Sequence, residues 1–144
     1  MSTEENKALV RESFLESWNK GNLDILDKVY GSDYVSHDPA LPHPLHGASE
    51  LKQALQMYRN AFPNLHMTVE DQIASADRVV TRWVARGTHK GDFMGAPATG
   101  KEATVVGFTI SRLSEGKIAE EWTNWDTLGL MHQLGLTPSE GRGK

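Results

Sequence analysis

At Pro63 the chain changes its period. Before it, apolar residues recur every three or four positions, the spacing of one helix face; after it they alternate, the spacing of a strand. In the first half, Val10, Phe14 and Trp18 form a stripe widened by Leu15, with Ser2 and Glu5 as a capping box and Gly21 as the stop. Asn22 caps a second, shorter helix whose face is Ile25, Leu26, Val29 and Tyr30, ending near Gly31, so the two helices are expected as a hairpin-like lid. A short segment at Tyr34 to Ser36 leads into HDPALPHPLHG, whose prolines and glycine predict a surface loop. A third helix is predicted from about Ser49 to Phe62, carrying Leu51, Leu55, Tyr58 and Phe62 on one face.

The second half predicts four strands, Leu65 to Ser75, Arg78 to His89, Lys101 to Leu113 and Lys117 to Trp125, then a helix from about Thr127 to Leu134 stopped by Gly135. The turns Ala76-Asp77 and Ser114-Glu115-Gly116 make sequential antiparallel pairing the simplest arrangement. Helices first and strands later specify an α+β domain, a curved antiparallel sheet wrapped around N-terminal helices. At 144 residues, one domain over 1–144 with one core and one pocket is expected. Pocket residues then come in i, i+2 sets, and period alone does not say which set faces inward. On the third strand the choice is Val105, Gly107, Thr109 and Ser111 against Val106, Phe108, Ile110 and Arg112; on the fourth it is Glu121, Thr123 and Trp125 against Glu120, Trp122 and Asn124.

Charge and composition exclude several classes. Fifteen basic and nineteen acidic residues give a net charge of -4 with no long block of either sign, which argues against a nucleic-acid or polybasic membrane surface; the basic end at 141–144 is too short to alter that. With no cysteine there is neither a disulfide framework nor a thiol nucleophile. The polar start MSTEENK is unlike a signal peptide, and no apolar run approaches a membrane span, so a soluble cytoplasmic protein is expected.

The segments Tyr34-Val35-Ser36-His37-Asp38-Pro39, Gly87-Thr88-His89-Lys90-Gly91, Pro97-Ala98-Thr99-Gly100-Lys101, Gly116-Lys117-Ile118 and Gln133-Leu134-Gly135 resemble the SnoaL-like polyketide cyclase family, of the NTF2-like superfamily. The resemblance implies a cone-shaped fold, a homodimer, and an aldol ring closure without metal or organic cofactor. In it an aspartate removes an acidic proton next to a carbonyl, with histidine and glutamine as helpers. Carried over from Gly116-Lys117-Ile118 without gaps, the aspartate falls on Thr123, the glutamine and histidine of the preceding strand on Gly107 and Thr109, and a second histidine on Glu121. The cyclase constellation is therefore absent at these positions.

Glu121, on the same strand face as Thr123, is the candidate general base, against the plainer reading of Glu120-Glu121 as a solvated pair. His37 and Asp126 are the candidate catalytic assistants to Glu121; the plainer reading of Asp126 is a cap for the last helix, and that of His37, also the histidine candidate for substrate contact, is a structural or solvated loop histidine. Tyr34, Trp83, Thr109, Thr123 and Trp125 are the expected substrate-binding residues. Trp83, Trp122 and Trp125 with Phe108 and Tyr58 suit an aromatic wall, a core or a dimer interface. His37, His43 and His46 do not have the spacing of a metal site, so no metal is expected. The function expected is acid-base chemistry on a small hydrophobic carbonyl compound or ester, with non-catalytic binding of an apolar ligand as the alternative.

Overall fold

The computed structural model describes residues 1–136; the basic end at 141–144 lies outside them. Ser2 and Glu5 close the expected capping box, Glu5 N–H donating to Ser2 Oγ at 3.1 Å and Ser2 N–H to Glu5 Oε1 at 2.8 Å, and start helix α1, Thr3–Phe14. The helix does not run evenly to Gly21. It widens into a π-helical turn, Leu15–Asn19, where Ser17 Oγ donates to the Ser13 carbonyl at 2.6 Å, the back-bond that loosens a helical ladder. Helix α2 is Asp24–Val29. Tyr30, expected on that helix, instead opens strand β1, Tyr30–His37. A two-residue strand β2, Leu45–His46, follows the proline-rich turns, and α3 spans Gly47–Ala61. Then come β3 (His66–Ser75), β4 (Arg78–Thr88), β5 (Glu102–Ser114), β6 (Lys117–Trp125) and α4 (Thr127–Leu134).

The six strands are ordered β2-β1-β6-β5-β4-β3. The four long strands pair antiparallel in sequence order, as the alternation implies. The β5–β6 hairpin turns through Glu115 and Gly116, both at positive φ (53° and 76°), which is why a glycine stands there. The sequence reading omitted β1, which runs parallel to β6 with Ser36 opposite Glu121 and His37 opposite Trp122. This parallel seam brings the chain's first strand beside its last.

One face of the sheet holds the helices. Val10, Phe14, Leu26, Val29 and Leu55 from them, with Met67, Val79, Trp83 and Ile118 from the strands, make the larger apolar cluster. A smaller cluster around Phe62, Phe93, Leu130 and Leu134 closes the end beneath α4, and Leu65, Val105 and Trp125 pack against both. His89 pins the long β4–β5 connection: its Nδ1 lies 3.0 Å from Thr99 Oγ1, and its ring stacks on Phe62. The other face carries a cross-strand row, Ile73, Val80, Ile110 and Trp122, with Val106 and Phe108 each 52% exposed beside it. No helix among the described residues is long and apolar enough to cross a membrane.

Candidate functional site

The register decides which i, i+2 sets face the helices. Trp83, Gly107 and Trp125 stand in one cross-strand row. A Cβ on residue 107 would come 2.5 Å from Trp83 Cζ2 and 2.7 Å from Trp125 Cβ, so only glycine lets the two indoles lie there together. From that row, alternation carries Val105, Thr109 and Ser111 inward on β5, and Glu121 and Thr123 inward on β6. On β1 and just past it, Tyr34, Ser36 and Asp38 face the same way. Of these, Val105, Thr109, Glu121, Thr123, Tyr34, Ser36 and Asp38, with Phe14 and Trp18 from the first helical stretch and Leu51, Leu55 and Tyr58 from α3, line an apolar cavity between sheet and helices, and Ser111 stands behind Glu121.

Two carboxyl groups interrupt the apolar wall. Glu121 is 5% exposed; Oε1 accepts from the Tyr34 hydroxyl at 2.7 Å and Oε2 from the Ser111 hydroxyl at 2.6 Å. Among the described residues no cationic side chain pairs with it. Desolvation disfavours its charged form and outweighs the hydroxyl bonds, so its pKa is raised above the ordinary glutamate value. Tyr30 and Tyr34 are pushed well above the usual phenol range, first by burial and then by the charge of Glu121, and remain neutral donors. Asp38 is half-buried: Oδ1 accepts from the Ala40 N–H at 2.8 Å and Oδ2 from Trp125 Nε1 at 3.3 Å. Burial also raises its carboxyl, against the pull of those two bonds.

A third polar feature is a hydroxyl chain. Trp83 Nε1 donates to Thr109 Oγ1 at 3.1 Å, and Thr109 and Thr123 hydroxyls lie 2.9 Å apart. Thr109 accepts from the indole with one lone pair and keeps a second, so either hydroxyl can donate in the Thr109–Thr123 bond; when Thr109 donates, the Thr123 proton is free for a ligand oxygen. Tyr58, from α3, is T-shaped to Trp125 and tilted against Trp18 and Phe93. Its pKa is raised by burial first and by the Asp38 charge second.

Glu121, Tyr34, Trp83, Thr109, Thr123 and Trp125 thus all meet at one cavity, while two expected site residues do not reach it. Asp126 caps α4, its Oδ1 accepting from the Gly129 N–H at 2.8 Å. His37 lies one residue out of phase with Tyr34 and Ser36, on the outer face: Nε2 is 2.7 Å from Glu120 Oε2 and the ring stacks on Trp122. Among the described residues no cluster of three or more His, Asp or Glu is placed to hold a metal ion, and His43 and His46 lie with His37 in no such group. Tyr58, one of the aromatic residues that suit a wall from the sequence, lines the cavity, and so does Asp38, which the sequence analysis does not place among the site residues. For Asp38 the available signal was its phase, two and four residues after Ser36 and Tyr34.

The SnoaL-like polyketide cyclase family model matches residues 8–134. No curated relative matches the chain. Among solved structures, TsrD from Streptomyces laurentii is 27% identical at a TM-score of 0.85, covering 95% of this chain and 99% of its own. A proposed polyketide cyclase from Acidithiobacillus ferrooxidans is 30% identical at 0.82, covering 94% and 98%. IdmH from Streptomyces antibioticus, likewise a proposed polyketide cyclase, is 32% identical at 0.79, covering 90% and 98%.

Proposed function

The chain belongs to the SnoaL-like polyketide cyclase family, and from that premise we propose that its cavity performs acid-base chemistry on a hydrophobic carbonyl compound or ester, with Glu121 as the base. The observation that carries this reading is a carboxyl group buried in an apolar cavity and served only by hydroxyls. An ionised carboxylate there is costly, and a cavity that merely held an apolar ligand would gain from an amide or a hydrocarbon at position 121. A raised pKa is what a base needs to accept a carbon-bound proton near neutral pH. In the ring closure characteristic of the family, Glu121 takes the methylene proton next to a carbonyl, and Thr123, at the end of the hydroxyl chain, donates to a substrate oxygen. Trp83 and Trp125 supply aromatic wall for a planar substrate.

The test is deuterium exchange, followed by NMR, at the acidic methylene of an anthraquinone ester with and without the protein. Exchange that depends on the protein supports the reading. Binding of the ester without exchange overturns it in favour of a ligand-holding protein.

The same reading has the protein pairing with a second copy through the outer sheet face. The apolar row Ile73, Val80, Ile110 and Trp122, flanked by Val106 and Phe108, supports this. Sedimentation equilibrium is expected to give a dimer that Phe108→Glu converts to monomer; a monomeric wild type at micromolar concentration sinks the idea.

A further inference from the structure

We infer that Ser111 is a positioning residue for Glu121: together with Tyr34 it grips the carboxyl from both neighbouring strands and keeps it ionised and aimed for proton abstraction. This rests on the acid-base reading above. It goes beyond that reading by giving a residue behind the cavity wall control over the pH range in which the base works.

The strand register makes the grip. Glu121 stands opposite Ser111 on antiparallel β5 and opposite Ser36 on parallel β1, so a strand flanks it on each side. From β5 the Ser111 hydroxyl donates to Oε2 at 2.6 Å. From β1 the Tyr34 hydroxyl, two residues before Ser36, donates to Oε1 at 2.7 Å. One donor per oxygen, from opposite sides, fixes the plane of the carboxyl. An ionised carboxylate offers about four lone-pair sites, so the remaining ones stay open to a substrate proton.

The two donors differ in what else they reach. Tyr34 lines the cavity, whereas Ser111 is fully buried behind Glu121 on a strand held between β4 and β6. Its short side chain acts on a substrate only through the carboxyl it holds.

Burial raises the Glu121 carboxyl, and the hydroxyls of Ser111, Tyr34 and Tyr30, in that order, pull it back down. The other ionisable groups lining the cavity, among the described residues, are Tyr30 and Tyr34 on β1, Asp38 just after it, Tyr58 on α3 and Arg86 on β4. Glu120, next to Glu121 on β6, faces the opposite side and pairs with His37 and Arg112. All three tyrosines are pushed above the usual phenol range and stay neutral, and an arginine does not titrate near neutral pH. Asp38 is the other acid of the cavity, and its oxygens are bonded to the Ala40 N–H and Trp125 Nε1. Removing the Ser111 hydroxyl therefore acts on Glu121 and not on Asp38.

The experiment follows protein-dependent methylene exchange of the anthraquinone ester against pH, in wild type, Ser111→Ala and Tyr34→Phe, with affinity for the ester measured alongside. Loss of a hydrogen bond made to the charged form leaves the carboxyl protonated to higher pH. The acid limb of the Ser111→Ala profile is thus expected to move up by about one pH unit, a roughly tenfold slower exchange at any pH on that limb. Its affinity for the ester is expected to be unchanged. Tyr34→Phe keeps the ring and removes the second donor, so its limb is expected to move the same way, which tests the grip from the other strand. A limb that stays in place in either folded variant, with exchange slowed equally at every pH, overturns the positioning role while leaving Glu121 as the base. Absence of exchange in the wild type overturns the acid-base reading and this inference with it.

Discussion

Glu121→Gln is expected to lower protein-dependent methylene exchange by about 100-fold or more while making the protein more stable at neutral pH. Glutamine has the same shape, and the Tyr34 and Ser111 hydroxyls can reorient to bond it, so the cavity keeps its form. What disappears is the buried charge. Because burial raises the folded-state pKa above the unfolded value, the folded protein holds this proton to higher pH. Stability from this group is fully present below the unfolded pKa and is lost as pH rises from there through the folded pKa. The glutamine variant has no such loss. Urea unfolding at acid and neutral pH is therefore expected to give similar midpoints for both proteins near pH 4 and a gain for the variant of roughly 1–2 kcal/mol at pH 8. Exchange at the wild-type rate would remove Glu121 as the base, and a variant less stable at pH 8 than at pH 4 relative to wild type would show that the carboxylate is welcome where it sits.

Gly107→Ala is expected to destabilise the protein by about 3 kcal/mol and to lower its melting temperature by about 10 °C. The added methyl group meets Trp83 Cζ2 and Cη2 and Trp125 Cβ within 2.7 Å. Neither indole is free to swing away, since Trp83 Nε1 is bonded to Thr109 and Trp125 Nε1 to Asp38. Both rings line the cavity, so affinity for an aromatic ligand falls together with stability. Trp83→Phe makes room beside residue 107, and the double variant is expected to lose less than the sum of the two single losses. Additive losses in calorimetry, or a single variant within 1 kcal/mol of wild type, would show that the row is not close-packed.

The helical stripes and the four long strands were legible because each depends on period within one segment, as Val10, Phe14 and Leu26 show by their burial. Strand β1 was not, for two reasons. It contains Gly31 and Asp33, residues depleted in strands, and a register shift between Tyr30 and Val35 breaks its alternation. Its partner is also distant in sequence. Glu121 could be placed on a strand face from alternation, but its inward direction came only with the Trp83, Gly107, Trp125 row. Asp38 precedes a proline and reads locally as a turn residue, so its membership of the cavity depends on β1 being a strand. Tyr58 has the spacing of an ordinary core residue on α3, and nothing local distinguishes a core ring from one on a cavity wall. For His37 and Asp126 the chain allowed both a catalytic and a local role, and the fold gives each a local partner.

The parallel seam between β1 and β6 also sets a timetable. Tyr34 and Glu121, which touch at 2.7 Å, are 87 residues apart in the chain. On a ribosome adding about 5–20 residues per second, β1 waits roughly 4–17 s for its neighbour to be made. Closing so long a loop is what slows folding in proteins rich in distant contacts. Until then the tyrosine side of the cavity exists without its carboxylate, and β1 presents an unpaired edge to its surroundings. The last long strand to be synthesised therefore joins β1 to the β3-β4-β5 strands and completes the site in one event, so a chain stopped before β6 has neither that seam nor the site.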